Sequence, residues 1–348
     1  MKPSPTDIIY RISQIAAVVD ALATEGVAWS DALAGTQLDA QELKSPETRA
    51  SLDQIIQCYH NARRLSGDPH FAYHTGLRFH LSTYGLYGFA ILCSTDFRQT
   101  MRFAEQYHQL ATPDADVAFS EEADSVTWTT RPTPMLGVDA ATYRFIVELQ
   151  FGIGVSLHRE AMGPAFVPLE LRVTYGSGET ENALENAVGC PVLFNQPENT
   201  WAFDKRWLDG PATLGNELAF KETRKLCDEL MTEMQLRIGL AGSVREVLLV
   251  NLSQPMNLDA VSRRLKIAAR TLKRKLREEG TSYRQIVDDL RTQLAIRYLR
   301  DTELTIEDIA SVLGFADAAS FRHSFQRWTK ETFGGFRRNI GKSRRLAN

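Results

Sequence analysis

The stretch Ile309–Trp328, IASVLGFADAASFRHSFQRW, decides the fold of the last third of the chain. Ile309, Ala310 and Leu313 follow helical spacing, and Gly314 then supplies the positive φ that a sharp turn requires. Asp317 stands where its carboxylate accepts from the free N–H groups of a following helix. That second helix carries Phe321, Phe325 and Trp328 at i, i+4 and i+7, so one side is expected in a core. With about 100° of rotation per residue, the opposite side presents Ala319, His323 and Gln326, flanked by Arg322 and Arg327. Two short helices, a glycine turn and one free face make a helix-turn-helix.

A second copy lies upstream in LDAVSRRLKIAARTLKRKLREEG, residues 258–280. Leu258, Val261 and Leu265 precede Ile306, Ile309 and Leu313 by 48 positions, whereas Leu272 and Leu276 precede Phe321 and Phe325 by 49. The turn of the second copy is therefore one residue longer. In the first copy Arg270, Arg274 and Arg277 fall where Ala319, His323 and Gln326 fall in the second, with Thr271 and Lys273 beside them. Between the copies runs TSYRQIVDDLRTQLAIRYLRD, whose Tyr283, Ile286, Val287, Leu290, Leu294, Tyr298 and Leu299 keep helical spacing. A helix of 16 to 18 residues is about 25 Å long at about 1.5 Å per residue. It would hold two recognition helices on successive major-groove faces, about 34 Å apart.

Charge agrees with this reading. The 348 residues carry a formal net charge of −3, yet residues 240–348 hold 21 Lys+Arg against 12 Asp+Glu, a net +9, and the remainder is net −12. A basic module joined to an acidic one points to a polyanion-binding unit attached to something that avoids polyanions. Arginine forks bidentately onto guanine O6 and N7 and lysine reaches the same acceptors. Arg270, Thr271, Lys273 and Arg274 are the leading base readers on these grounds, and Ser320, His323 and Gln326 the lesser set. Arg277, Arg322, Arg327, Arg337 and Arg338 read as phosphate contacts, which position without specifying sequence.

The two copies together resemble the DNA-binding half of AraC/XylS-type transcription regulators. The second carries the run IA-x-x-LGF-x-D-x-x-x-F-x-x-x-F-x-RW, and the first V-x-RRL-x-x-x-x-RTL-x-R-x-L over Val261 to Leu276. Lys266 stands where that family often has glycine, and Ala268 where it has a Ser or Thr cap. His323 replaces a common Arg, while Lys330 and Phe333 replace Gly and Pro. The resemblance implies promoter DNA as partner, contact with RNA polymerase, a homodimer, and no cofactor.

Residues 7–205 alternate in type. Helical patterns fall at 8–22, 50–65, 97–110 and 141–160, and strand-like runs at 116–119, 125–130 and 169–175, an α+β domain. YGLYGFAILCSTDFRQTMRFAEQY (84–107) and GCPVLFNQPENTWAFDKRWLDGP (189–211) are similar to the variant arabinose-binding-type regulatory domain of one branch of that family. This likeness implies sensing of a small-molecule effector, without implying arabinose. Tyr84, Tyr87, Phe89, Trp128, Tyr143, Arg144, Glu148 and Trp201 are candidate pocket residues, although core packing is the leading reading for each aromatic and an Arg144–Glu148 pair competes for the arginine. Residues 218–238 read as a helix with Leu226, Leu230, Met234 and Ile238 in steps of four, packed on its own domain or forming a dimer seam, and Gly239 with Gly242 reads as a hinge.

The expected organisation is an α+β sensor and dimerisation domain at 1–210, a helical connector at 211–245, and an all-α DNA-binding domain at 246–348 with helix-turn-helix units at 258–279 and 306–329. No run of about 18 apolar residues offers a membrane span, and MKPSPTDIIYRIS lacks the apolar centre of a secretion signal, so a cytoplasmic protein is expected. Cys58, Cys93, Cys190 and Cys227 form no CxxC pair. His70, His74 and His80 lack the glutamate of an HExxH motif, FGIGVS lacks the third glycine of a nucleotide loop, and YGSGE fails the nucleophile-elbow spacing. No metal or catalytic constellation is therefore expected. The alternative is an enzyme or protein-interaction domain carrying an accessory DNA-binding module.

Overall fold

A computed structural model describes residues 3–133, 137–177, 181–210, 212, 214–249, 256–302 and 304–337. The chain divides into two compact units, Ser4–Gln235 and Leu236–Asn348.

The first unit begins with a short strand, β1 (Tyr10–Arg11), before helix α1 (Ser13–Thr24) and a single turn, α2 (Trp29–Ala32). Strand β2 (Arg49–Ala50) pairs antiparallel with β1. The helical pattern expected from residue 8 therefore starts later, because Tyr10 and Arg11 are taken by the ladder. Helix α3 (Leu52–Leu65) starts at Ser51, which caps the Gln54 N–H while the Gln54 side chain accepts from the Ser51 N–H, a reciprocal box that satisfies two orphan donors. Next come α4 (Phe71–Gly76), α5 (Leu86–Cys93) and α6 (Phe97–Tyr107), the last capped by Asp96. Beyond Tyr107 the expected helix tightens into a 3₁₀ turn at His108–Leu110.

Strands β3 (Ala115–Glu121) and β4 (Ser125–Pro132) form a hairpin, followed by the 23-residue helix α7 (Ala140–Met162). Then follow β5 (Glu170–Arg172), α8 (Glu181–Val188), β6 (Val192–Leu193), β7 (Thr200–Asp204) and α9 (Glu217–Leu236). The sheet order is β3-β4-β7-β5-β6, antiparallel except for β5 with β6. The expected strand 169–175 shrinks to three residues, and TWAFD, not read as a strand, lies at the centre of the sheet. Trp128 of β4 and Trp201 of β7 face each other in register. They share one core with Val126, Leu171, Phe203 and, from α7, Val147 and Phe151.

Two glycines let α7 cross α4 at backbone contact. A Cβ on Gly152 would stand 2.3 Å from the Tyr73 carbonyl oxygen, and one on Gly76 2.4 Å from that of Leu149. The FGIG run thus lies inside a helix, where Gly152 admits a neighbouring backbone and Gly154 admits the Trp201 ring, whose Cζ2 would lie 2.8 Å from a Cβ.

The second unit contains α10 (Gly239–Leu249), α11 (Leu258–Arg264), α12 (Ala269–Glu278), α13 (Tyr283–Asp301), α14 (Ile306–Val312) and α15 (Ala318–Thr329). It has two cores. Val261, Leu272 and Leu276 pack with Val244, Leu248, Ile286 and Leu290, whereas Ile309, Leu313, Phe321 and Phe325 pack with Ala295 and Leu299. Helix α13 thus serves the first core with its N-terminal half and the second with its C-terminal half. The helix break falls at residues 237–238, with Gly239 at φ 75°. Gly242, expected at the hinge, sits inside α10, where a Cβ would stand 1.8 Å from the Arg237 carbonyl oxygen. Among the described residues no helix is long and apolar enough to cross a membrane.

Candidate nucleic-acid interface

In the first helix-turn-helix the turn is made by Lys266 at φ 53°, with Lys266 N–H donating to Arg263 and Ile267 N–H to Ser262. The second makes the same pair of bonds, Gly314 to Ser311 and Phe315 to Ala310, with Gly314 at φ 72°. Lys266 therefore holds a left-handed position that glycine adopts without strain. Asp317 caps α15, accepting from the Ser320 N–H at 2.7 Å, whereas Ala268 offers α12 no side-chain cap. Lys330 ends α15 in the left-handed region at φ 62°.

Leu272 and Leu276 are fully buried, which turns Arg270, Lys273, Arg274 and Arg277 outward, all exposed, with Thr271 half-buried. Arg270, Lys273 and Arg277 meet no acidic partner among the described residues. Arg274 does: its guanidinium pairs with Glu278 one turn on, both half or more exposed. Such an exposed pair is worth under about 1 kcal/mol and yields readily to a phosphate or base edge. On α15, Phe321 and Phe325 are buried and Ala319, Ser320, Arg322, His323, Gln326 and Arg327 are exposed. Ser320 is partly spent on the cap, since its hydroxyl also donates to Asp317. Arg322 lies 3.8 Å from Glu307, Arg327 donates to Asp288 at 3.4 Å, and Arg337 donates to the Leu304 carbonyl at 3.1 Å. Arg338 lies outside the described residues.

Asp288 belongs to a second, polar joint. One turn further along α13, Arg291 stacks on the Phe315 ring at 4.6 Å and donates to the Gly314 carbonyl. Burial pulls this guanidinium below its ordinary range. The first half of α13, already packed in the first core, thus reaches the turn and recognition helix of the second helix-turn-helix through Asp288 and Arg291. Sequence reading missed this joint because both residues stand on the polar face of a long helix.

The pocket candidates of the first unit separate. Tyr87, Trp128 and Trp201 line one cavity of about 90 Å³, between the sheet and helices α6 and α7. Tyr84 is fully buried elsewhere, stacked on Phe79, and Phe89 is exposed. Tyr143 packs at the core's edge and is not at the cavity. Arg144 borders a different surface concavity with Arg63 and Asp68, its Nε donating to the buried Glu148 at 2.6 Å and its guanidinium stacked on Tyr175 at 5.1 Å.

Residues not singled out from sequence complete the cavity. Gln150, Ile153, Gly154, Leu157, His158 and Ala161 line it from α7, a helical stripe whose glycine, histidine and alanine interrupt an otherwise large apolar face. That interruption was the available signal. His158 donates from Nδ1 to the Gly154 carbonyl at 2.7 Å, so its Nε2 accepts from the Trp128 indole at 3.3 Å. Burial drives its pKa down to about 4, and the ring is neutral. Nearby, Asp114 is fully buried without a cation, accepting from Gln14, Gln150 and Tyr59, and burial raises its pKa. All four cysteines are buried free thiols, and no group of three metal-ligating side chains occurs among the described residues.

Comparison with known proteins addresses both units. Residues 26–212 match the family described as the arabinose-binding domain of AraC transcription regulator, N-terminal, and residues 261–339 match a helix-turn-helix domain family. The chain is similar to an ornithine utilization regulator of Pseudomonas aeruginosa, 28% identical over 92% of this chain and 94% of that one. It is also similar to an HTH-type transcriptional regulator of Mycobacterium tuberculosis, 26% identical over 94% and 95%. The crystal structure of the transcriptional regulator CdpR from Pseudomonas aeruginosa aligns with 92% of this chain and 96% of its own at 22% identity and a TM-score of 0.48.

Proposed function

This chain belongs to the AraC family of transcription regulators, and from that premise we propose that it activates transcription under control of its N-terminal domain. Sequence-specific DNA binding through the helix-turn-helix domain comes with the family, which is non-enzymatic; the enzyme alternative falls with it. The finer assignment rests on one observation above others: α12 exposes Arg270, Lys273 and Arg274 on the side opposite its buried leucines. These residues, with Thr271, read bases in the major groove. The α15 residues Ser320, His323 and Gln326 read the second half-site less stringently. Arg277, Arg322 and Arg338 hold phosphates, with Arg327 and Arg337 in the same role once released from Asp288 and the Leu304 carbonyl.

Residues 1–210 sense an effector and dimerise, 211–245 connect, and 246–348 bind promoter DNA beside RNA polymerase in the bacterial cytoplasm. An effector shifts this system only by binding one state better than the other. The experiment is run-off transcription from a promoter carrying a duplex selected from random sequence by the full chain. A rise in transcript on adding the protein is expected, growing or shrinking with effector. A fall would assign repression instead, and failure to enrich any duplex would remove the base-reading assignments.

A further inference from the structure

Resting on the reading of the N-terminal unit as a sensor, we propose that its cavity takes a single uncharged aromatic ring bearing one N–H or O–H donor, a phenol-like molecule, and excludes charged amino acids and sugars. Three observations carry this. First, the lining is largely apolar and aromatic: the Trp128 and Trp201 indoles come from adjacent strands, Met101 comes from α6 and Ile153 from α7, and Gly154 leaves the space that lets Trp201 approach α7. Aromatic walls favour another ring, stacked or edge-on.

Second, no Lys, Arg, Asp or Glu side chain lines the cavity among the described residues. Of the two lining histidines, His158 is neutral, and the Nε2 of His108 stands 3.6 Å from the exposed Asp116 carboxylate. A zwitterion would bury two charges without partners, which is prohibitive without pairing. A sugar would bring more hydroxyls than the wall can pair, since beside His108 the hydroxyls left over are those of Tyr87 and Thr130. Thr100 and Thr112 already donate to the Asp96 and His108 carbonyls, and Gln150 donates to Asp114.

Third, the polar invitation is an acceptor. His108 Nδ1 lies 2.8 Å from the Glu105 carbonyl and donates to it, so in the tautomer with its single proton there Nε2 offers a lone pair. That atom is buried and without a hydrogen-bond partner; its nearest charged neighbour, Asp116, is 3.6 Å away. His158 Nε2 is satisfied by Trp128 and does not compete. A ligand O–H or N–H directed at His108 would fill the vacancy. Size agrees: a cavity of about 90 Å³ lies below the roughly 300 to 1,000 Å³ of drug-sized sites and nearer the single-ring scale.

The test uses the full chain, with phenol, toluene, ornithine and arabinose as probes, read by tryptophan fluorescence and thermal shift. Phenol is expected to bind and raise Tm, toluene to bind at least threefold more weakly, and ornithine and arabinose to do neither. His108→Leu should bring phenol to the affinity of toluene while leaving toluene unchanged. Ala161→Phe and, as a second filler, Ala104→Leu should abolish phenol binding while the chain still shifts its selected duplex. The inference is overturned if phenol does not bind at millimolar concentration, if the fillers leave it bound, or if ornithine or arabinose binds and the fillers abolish that. Phenol binding with unchanged DNA affinity would sustain the cavity's chemistry and sink effector control. Ornithine altering DNA affinity from elsewhere, with phenol inert, would do the reverse.

Discussion

Lys266 shows how one side chain can sit against the backbone's preference. Its φ of 53° belongs to the region that costs an L-residue about 1 to 2 kcal/mol, so Lys266→Gly should stabilise the C-terminal unit by about 1 kcal/mol in urea melts. Ala268→Ser supplies the missing cap of α12 and should add about 1 kcal/mol more. Gly152 stands at the other extreme. With no room for a methyl group against the Tyr73 carbonyl, Gly152→Ala should cost about 1 to 3 kcal/mol or more. His158 ties stability to pH. Its folded pKa, about 4, lies below the ordinary 6.5, so the unfolded chain takes up a proton that the folded ring refuses. The stabilisation is therefore complete above pH 6.5 and declines as pH falls toward 4, by about 3 kcal/mol at most. His158→Gln, which keeps a donor for Gly154 and an acceptor for Trp128, should flatten that part of the pH–stability curve; an unchanged difference between the two proteins would show that His158 does not titrate in this range.

At the level of elements, what the sequence made legible depended on length and period. The helices of the second unit were readable because Val261, Leu272, Leu276, Ile309, Leu313, Phe321 and Phe325 recur at fixed offsets and are all buried. The strand β7 was not, since five residues with Trp201 and Phe203 inward give too short an alternation beside a turn-rich segment. Helix α9 was legible as a helix but not in its facing. The expected stripe at Leu226, Leu230, Met234 and Ile238 is only half buried, and Phe220, Thr223 and Cys227 turn inward instead, leaving Leu218 and Leu226 exposed. The cavity was half legible: Tyr87, Trp128 and Trp201 were candidates as aromatics, but His108 and His158 gain meaning only from carbonyls their rings meet in three dimensions. The joint from α13 to the second helix-turn-helix carries its own prediction. Arg291→Ala removes a stacked, hydrogen-bonded cation and should loosen the second unit by about 1 to 3 kcal/mol. Half-site spacing is its readout: one inserted base pair should weaken the parent protein strongly and the variant less, and equal losses would mean the joint does not set the spacing.

For the whole molecule, an acidic N-terminal unit and a basic tandem of helix-turn-helices belong to one transcription regulator. The acidic part has no cause to approach the duplex, and affinity should fall with salt in proportion to the phosphates neutralised by the basic part. A homodimer would double those contacts. If α9 forms its seam, Leu218→Glu with Leu226→Glu should convert a sedimenting dimer to monomer without lowering Tm, and a dimer that persists would place the seam elsewhere. The central claim is that α12 reads sequence and α15 reads it less. It is tested most directly by titrating a selected duplex and a scrambled one with the parent chain, Arg270→Ala/Arg274→Ala and His323→Ala/Gln326→Ala. The first variant should lose about 1 to 3 kcal/mol per arginine on the selected duplex and most of its preference over the scrambled one, with the second variant losing less of both. Equal weakening of the first variant on both duplexes would contradict the claim and make those arginines phosphate contacts.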